Sequence, residues 1–354
     1  MSINPSTSFG EGDSNVKQQI LDLNGDGFPD LLKSQADGDG NFSNTSALVQ
    51  YSTIGTTNLL KKVTTPMGGS WEVSYERAGN TYELPQNKWV MSSVVSYDGF
   101  TGDSQFKPDF SKITVTYENP YHSRRERAFY GFEKVRTNQI NTGNGGAAAT
   151  EIYRYTLQTF NNNSYFLKGA LLSEVLYDAA GNKWTEKIND YSVRFINNTN
   201  TPETNLFKGD AEKSLQNYAY FIASVKTMSN FYEGQSTAGK STFTQNVTFD
   251  NYANLTGYFD KGDEKIGSTD ELTTEIQYQI TDNASNYLIL PTKVKSTATG
   301  VVRERTAQYD GKGNVTAITM IGPGNPVNSY EYDIYGNIKK SNWSCQLSGT
   351  TFLP

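Results

Sequence analysis

A six-residue pattern, aromatic-Asp-x-x-small-Asn, occurs four times in this chain and commits the backbone to turn back on itself wherever it falls. The copies are Tyr177-Asp178-Ala179-Ala180-Gly181-Asn182, Phe249-Asp250-Asn251-Tyr252-Ala253-Asn254, Tyr309-Asp310-Gly311-Lys312-Gly313-Asn314 and Tyr332-Asp333-Ile334-Tyr335-Gly336-Asn337. The aromatic residue ends a strand and packs on its neighbour. The Asp carboxylate caps the turn. The small residue, Gly in three copies, takes positive φ, and Asn tolerates the same region. A type I turn followed by a left-handed residue closes a hairpin with a bulge. One copy would be an ordinary turn. Four copies, each with strand-like sequence on at least one side, predict repeated antiparallel hairpins. The last two start 23 residues apart, the length of one hairpin unit; the earlier spacing is wider and implies insertions.

Composition agrees with strands. The chain holds 23 Tyr, 18 Phe and 31 Gly, residue types that favour strands and turns. Runs of strong helix formers are scarce, and a short helix is expected only around Asp210 to Tyr220. A net charge of −6 argues against nucleic acid and anionic membrane as partners. The basic run Arg124, Arg125 and Arg127 is interrupted by Glu126 and reads as a solvated face. No apolar run reaches the length of a membrane span, and no signal peptide is visible. The one cysteine, Cys345, lies near an end expected to fray and forbids an intrachain disulfide. The one histidine, His122, lies in a loop-like context and excludes the usual two-His metal sites. Neither is expected to be catalytic. No Gly-x-Ser-x-Gly elbow is present, and nothing among 37 acidic residues selects a carboxylate pair, so no active site is expected.

One stretch carries metal chemistry. In Asp22-Leu23-Asn24-Gly25-Asp26-Gly27-Phe28-Pro29-Asp30, oxygen-bearing side chains recur at Asp22, Asn24, Asp26 and Asp30, with the Phe28 carbonyl between them. Such hard oxygen donors suit Ca2+. An EF-hand is disfavoured: its last ligand position, which needs a bidentate Glu, is Lys33, and Pro29 with its apolar flanks suits strand-loop-strand. The acidic patch Asp37-Gly38-Asp39-Gly40-Asn41 reads as a plain hairpin turn. Asn141 to Ala149 lacks the Walker Lys-Ser/Thr pair and reads as a flexible loop.

Alternation with period two fills the rest of the chain. Trp71, Val73 and Tyr75 oppose Glu72, Ser74 and Glu76; Ile113, Val115 and Tyr117 oppose Thr114 and Thr116; Tyr153, Tyr155 and Leu157 oppose Arg154 and Thr156. Pro66-Met67-Gly68-Gly69 is a turn. Lys293 to Gln308 is a hairpin around Ala298-Thr299-Gly300, while Asn197 to Thr204 and Lys261 to Asp270 are linkers.

These motifs carry a family resemblance. The Asp22–Asp30 loop resembles the calcium loops of FG-GAP propeller blades. Leu59-Leu60-Lys61-Lys62-Val63-Thr64-Thr65-Pro66-Met67-Gly68-Gly69 with Trp71-Glu72-Val73-Ser74-Tyr75, and above all Arg125-Glu126-Arg127-Ala128-Phe129-Tyr130-Gly131-Phe132-Glu133-Lys134-Val135, resemble the B component of bacterial toxin complexes and the virulence-plasmid B proteins. The aromatic-Asp turns are similar to Rhs-type YD repeats. The order of the three also matches that family. The fold class expected is therefore all-β: an antiparallel hairpin-repeat sheet forming a YD-repeat shell-like strip, preceded by the end of an FG-GAP-like blade. Expected regions are 1–46, a blade remnant; 47–157, a toxin-complex B-like middle segment; and 158–354, degenerate YD repeats.

The resemblance implies a secreted or surface-delivered structural protein, a piece of a shell that encloses a toxin cargo, with other toxin-complex or Rhs shell components as partners. The chain is expected to be a fragment of such a protein, without a toxin domain or self-cleaving protease. A different class, a calcium-dependent carbohydrate-binding or adhesive surface module, stays open. Strand-end aromatics buried between hairpins favour the shell. Trp71, Trp89 or Trp184 lining an open groove beside acidic side chains favours binding.

Overall fold

Alternating side chains and turn residues at short intervals produce strands throughout the described residues. The computed structural model describes residues 18–25, 27–36, 42–102, 109–143, 146–196, 219–282, 287–347 and 350–352. The expected helix at Asp210–Tyr220 lies outside them except at its end, where Tyr220 opens a strand. The Asp37–Asn41 patch lies wholly outside. Among the described residues the one helical element is a 3-10 turn, Gly146–Ala148, in the loop that could be mistaken for a phosphate loop.

The chain divides into two units, and strands β7 and β8 contribute residues to both. The first unit contains an antiparallel three-stranded sheet, β1 (Gln18–Leu21), β2 (Asp30–Ala36) and β3 (Phe42–Gln50). It continues with β4 (Lys62–Thr64), β5 (Ser70–Ala78) and β6 (Lys88–Tyr97), then enters β7 (Phe110–Ser123) and β8 (Ala128–Ile140). Each of β4 to β6 pairs antiparallel with the next strand, and the expected turn at Pro66–Gly69 joins β4 to β5. There the Thr65 amide donates to the Gly69 carbonyl at 2.7 Å, and Gly68 has φ +87°.

The second unit is a ribbon of sequential hairpins. Its strands are β9 (Ile152–Phe160), β10 (Leu171–Asp178), β11 (Lys183–Phe195), β12 (Tyr220–Phe231), β13 (Lys240–Phe249) and β14 (Leu255–Asp263). They are followed by β15 (Leu272–Asp282), β16 (Tyr287–Ala298), β17 (Val301–Tyr309), β18 (Val315–Ile321), β19 (Val327–Tyr332), β20 (Ile338–Leu347) and β21 (Thr350–Phe352). Each pairs antiparallel with the next. The hairpin expected at Ala298-Thr299-Gly300 is present, with Thr299 and Gly300 both at positive φ, as a two-residue turn requires. The linker expected from Lys261 is shorter than its polarity suggests, because β14 extends to Asp263 before the chain leaves the sheet.

Few side chains are fully buried among the described residues. Among the described residues, Phe166 and Val193 form a buried cluster with Tyr165, Leu167, Phe195 and Tyr220 packed around them, where the β9–β10 loop folds onto β11 and β12. Elsewhere aromatic pairs across neighbouring strands do the packing. Tyr117 meets Phe132 at 4.9 Å between centroids, Tyr155 stacks on Tyr177 at 4.8 Å, and Phe243 lies 5.9 Å from Phe259.

Candidate functional site

The four repeated turns share one geometry. Each Asp amide donates to the carbonyl of the Asn four residues on, and the amide of the small residue donates back to the Asp carbonyl. In the third copy these distances are 3.0 Å (Asp310 to Asn314) and 3.1 Å (Gly313 to Asp310). The small residue alone has positive φ: +88° at Gly181, +68° at Ala253, +89° at Gly313 and +87° at Gly336. The Asn, expected to tolerate that region, does something else. Its backbone amide donates to one oxygen of the Asp carboxylate and its Nδ2 to a carboxylate oxygen as well, at 2.9 Å each for Asn314 on Asp310. The same clamp recurs at Asn182, Asn254 and Asn337. Donation from the Asn side chain first, then from its backbone amide, holds the carboxyls of Asp178, Asp310 and Asp333 below the usual carboxylate value. The carboxylates are thus engaged in holding the turn.

The register slips by one residue next to the aromatic in every copy, at Leu176/Tyr177, Thr248/Phe249, Gln308/Tyr309 and Glu331/Tyr332. That bulge turns the ring along the sheet. The Tyr332 hydroxyl donates to the Val315 carbonyl at 2.8 Å, and Tyr309 to that of Pro291 at 2.7 Å. Tyr278 reaches the Leu255 carbonyl in the same way at 2.9 Å. Val315 and Leu255 each directly follow the Asn of an earlier turn, so a tyrosine of one hairpin straps down the clamp of the hairpin before it. Nothing in the six-residue pattern announces these links; the 17- and 23-residue separations of the partners are the only trace.

The Asp22–Asp30 loop is shaped by amides. The Gly27 amide donates to Asp22 at 2.9 Å; the Leu23 and Ser52 amides donate to the two oxygens of Asp30 at 2.9 and 2.8 Å. Asp30 is buried, and its carboxyl is held below the usual value by the Ser52 amide, against the upward push of burial and with help from Leu23 and Asn24. Gly25 and Gly27 both have positive φ, and the Gly25 carbonyl accepts Nδ2 of Asn80 and of Asn87. Asp26 lies outside the described residues, and Asp22, Asn24, Phe28 and Asp30 supply the oxygen chemistry a hard cation takes. Among the described residues no cluster of three acidic, His or Cys side chains is assembled.

The structure moves two residues from where their sequence context put them. His122 sits on β7, not in a loop, with both ring nitrogens shielded from solvent and with no hydrogen-bond partner among the described residues. Cys345 sits on β20 and is buried, so the expected fraying does not reach it. In the Arg127–Val135 signature, Gly131 has φ +104° and its carbonyl, with that of Asn119, accepts Nδ2 of the buried Asn162 at 3.2 and 2.7 Å. That explains the glycine: an added Cβ would meet no atom within 4 Å among the described residues, so the backbone conformation demands it.

The tryptophans divide. Trp89 Nε1 is shielded and lies under Arg77. Trp184 lines a small cavity of about 210 Å3 with Tyr153, Tyr177 and Asp178. Trp71 lines a groove of about 450 Å3 with Asp98 and Asp109. At the strand ends, Phe249 is buried and Tyr177, Tyr309 and Tyr332 are half-buried between hairpins.

Residues 2–161 match the family model of the insecticide toxin TcdB middle/N-terminal region. That stretch, a little under half of the chain, is similar to a toxin-complex B component. Its fold is similar to that of TcdB2-TccC3 solved without the hypervariable C-terminal region, with a TM-score of 0.58 and 11% identity over 89% of this chain and 22% of that one. A second TcdB2-TccC3 structure gives 0.57 and 12% over 94% of this chain and 25% of that one. The Photorhabdus luminescens Tc holotoxin pore gives 0.56 and 12% over 86% and 19%. The chain therefore spans a fifth to a quarter of these structures, and the likeness to them is one of fold. No curated protein matches it in sequence.

Proposed function

We propose that this chain is a non-catalytic structural part of a toxin-encapsulating shell or toxin-delivery protein, secreted or displayed at the cell surface. Its partners are other toxin-complex or Rhs shell components, and its cargo is a toxin. The observation that carries this reading is the strapped clamp. Every aromatic-Asp turn spends its carboxylate on holding a hairpin, and tyrosines tie successive hairpins together, which is how a wall is built and not how a reaction centre is built. Sheet edges that such a strip exposes need partner strands. The test mixes the purified chain with the TccC-type chain of its own source and follows mass by light scattering and cargo digestion by protease. Co-elution with protease protection of the cargo is expected. Separate elution with an unprotected cargo removes the reading.

The loop Asp22–Asp30 is proposed to bind Ca2+ as a brace. It would hold Asp22, Asn24, Asp26, the Phe28 carbonyl and Asp30 together at the end of the first sheet. A ligand at 100 times its dissociation constant stabilises by about 2.7 kcal/mol. Calcium should raise the melting temperature of the chain and Asp22→Ala should abolish the rise; melting that ignores calcium removes the ion from this account.

A further inference from the structure

We propose that the groove beside Trp71 is a saccharide-binding site, selective for neutral sugars. The register makes the groove. Trp71 on β5 lies opposite Ser96 on β6, and Ser96 lies opposite Ser111 on β7, so the three share one face in one row. A large indole followed by two small hydroxyl side chains leaves a trough. Trp71 is 48% exposed along it. Asp98 and Asp109, two residues beyond Ser96 and two before Ser111, stand at its end, and the volume of about 450 Å3 is in the range of small-ligand sites.

The walls are rigid for a steric reason. A Cβ on Gly99 would lie 2.7 Å from the Gly68 carbonyl carbon and the Gly69 nitrogen, and one on Gly69 would lie 3.2 Å from the Asp98 carbonyl oxygen. The β4–β5 turn and the loop after β6 therefore touch backbone to backbone. The Phe100 amide fixes one Asp98 oxygen at 2.9 Å. Behind the groove Tyr97 stacks on Phe110 at 5.2 Å. Preformed walls lower the ordering cost of binding.

The lining selects the ligand. A flat indole face takes an apolar ring face, while two serine hydroxyls and two carboxylates take hydroxyl groups at its rim. A pyranose offers both. A purely apolar ligand would leave the serine hydroxyls and the carboxylates unused, an acidic sugar would be repelled by the carboxylates, and a simple cation would leave the serines unused. The site does not depend on the shell reading, since a wall segment and a free module could each carry it.

The test titrates the whole chain, by calorimetry and tryptophan fluorescence, with maltotriose, chitotriose, mannotriose, lactose, 3′-sialyllactose and trilysine. At least one neutral saccharide should bind, and sialyllactose should bind no tighter than lactose. Trp71→Ala should weaken binding at least about tenfold, and Ser96→Leu, which fills the trough floor on a solvent-facing row, should do the same with unchanged melting. Trp71→Phe should retain most of the affinity. No binding of any neutral saccharide up to about 10 mM overturns the proposal, as does binding that both variants leave intact. Binding of trilysine alone makes the groove a cation site and equally overturns it.

Discussion

Gly313 and Ala253 occupy the same position of two copies of one turn, and exchanging their side chains isolates the cost of positive φ. At Gly313, with φ +89°, an added Cβ would meet Leu288 and Leu290 methyls at 3.7 to 3.8 Å, ordinary contact distance. Gly313→Ala therefore introduces backbone strain and no clash. An L-residue in the left-handed region costs about 1–2 kcal/mol. The narrower unfolded ensemble of Ala returns about 0.5–1 kcal/mol. The net loss is about 0.5–1 kcal/mol. Ala253 sits at φ +68°, nearer the left-handed minimum of about +57°. Ala253→Gly should therefore stabilise its turn, but by less than Gly313→Ala destabilises its own.

Over 354 residues a change of this size moves the melting temperature by only about 1 °C, too little to decide the matter. Hydrogen exchange reads it locally. The Asp310 amide bonds to the Asn314 carbonyl and the Asn314 amide to the Asp310 carboxylate, so both report opening of this turn. In Gly313→Ala they should exchange about two- to fivefold faster. The amides of Asp250 and Asn254 should slow in Ala253→Gly. Unchanged exchange in Gly313→Ala, or faster exchange in Ala253→Gly, would refute the strain argument.

Tyr332→Phe removes the strap on Val315 while keeping the ring, and should cost about 1 kcal/mol, read as faster exchange of amides around Asp310–Asn314 rather than around Asp333; an effect confined to the turn of Tyr332 itself would mean the strap carries nothing between hairpins. Acid should loosen the ribbon in a defined window. The carboxyls of Asp178, Asp310 and Asp333 are depressed from the ordinary 3.8, so their stabilisation is whole above that pH and is lost as pH falls through the lower folded values. Denaturant midpoints should drop below about pH 3.8, and a triple Asp→Asn variant should flatten that part of the profile; an equally steep drop in the variant would place the acid sensitivity elsewhere. Gly336→Val, which puts a β-branched residue at φ +87°, should destabilise its turn more than an Ala there does, checked by urea unfolding of the two variants side by side.

The parts of this protein legible in its sequence are those decided within a few residues. Asp310, Gly313 and Asn314 make their turn with one another, so the pattern located it and its three siblings. Alternation along Trp71–Glu76 or Ile113–Tyr117 assigned strands because a pleated chain has period two whatever it pairs with. Even there, local chemistry hid a function: Asn314 was readable as a residue tolerant of positive φ, and only the closed turn shows its amide gripping Asp310. His122 was misplaced because Pro120 and the arginines after it look like a loop, while β7 runs on to Ser123 through pairing that no local signal encodes. What the sequence by itself determined is where the chain folds back and which side chains alternate. Only the tertiary structure decided what lies opposite what. Register is set between successive strands by the bulges and loop lengths that join them, and it is register that brings Tyr332 to Val315 and sets Ser96 opposite Trp71 and Ser111 opposite Ser96.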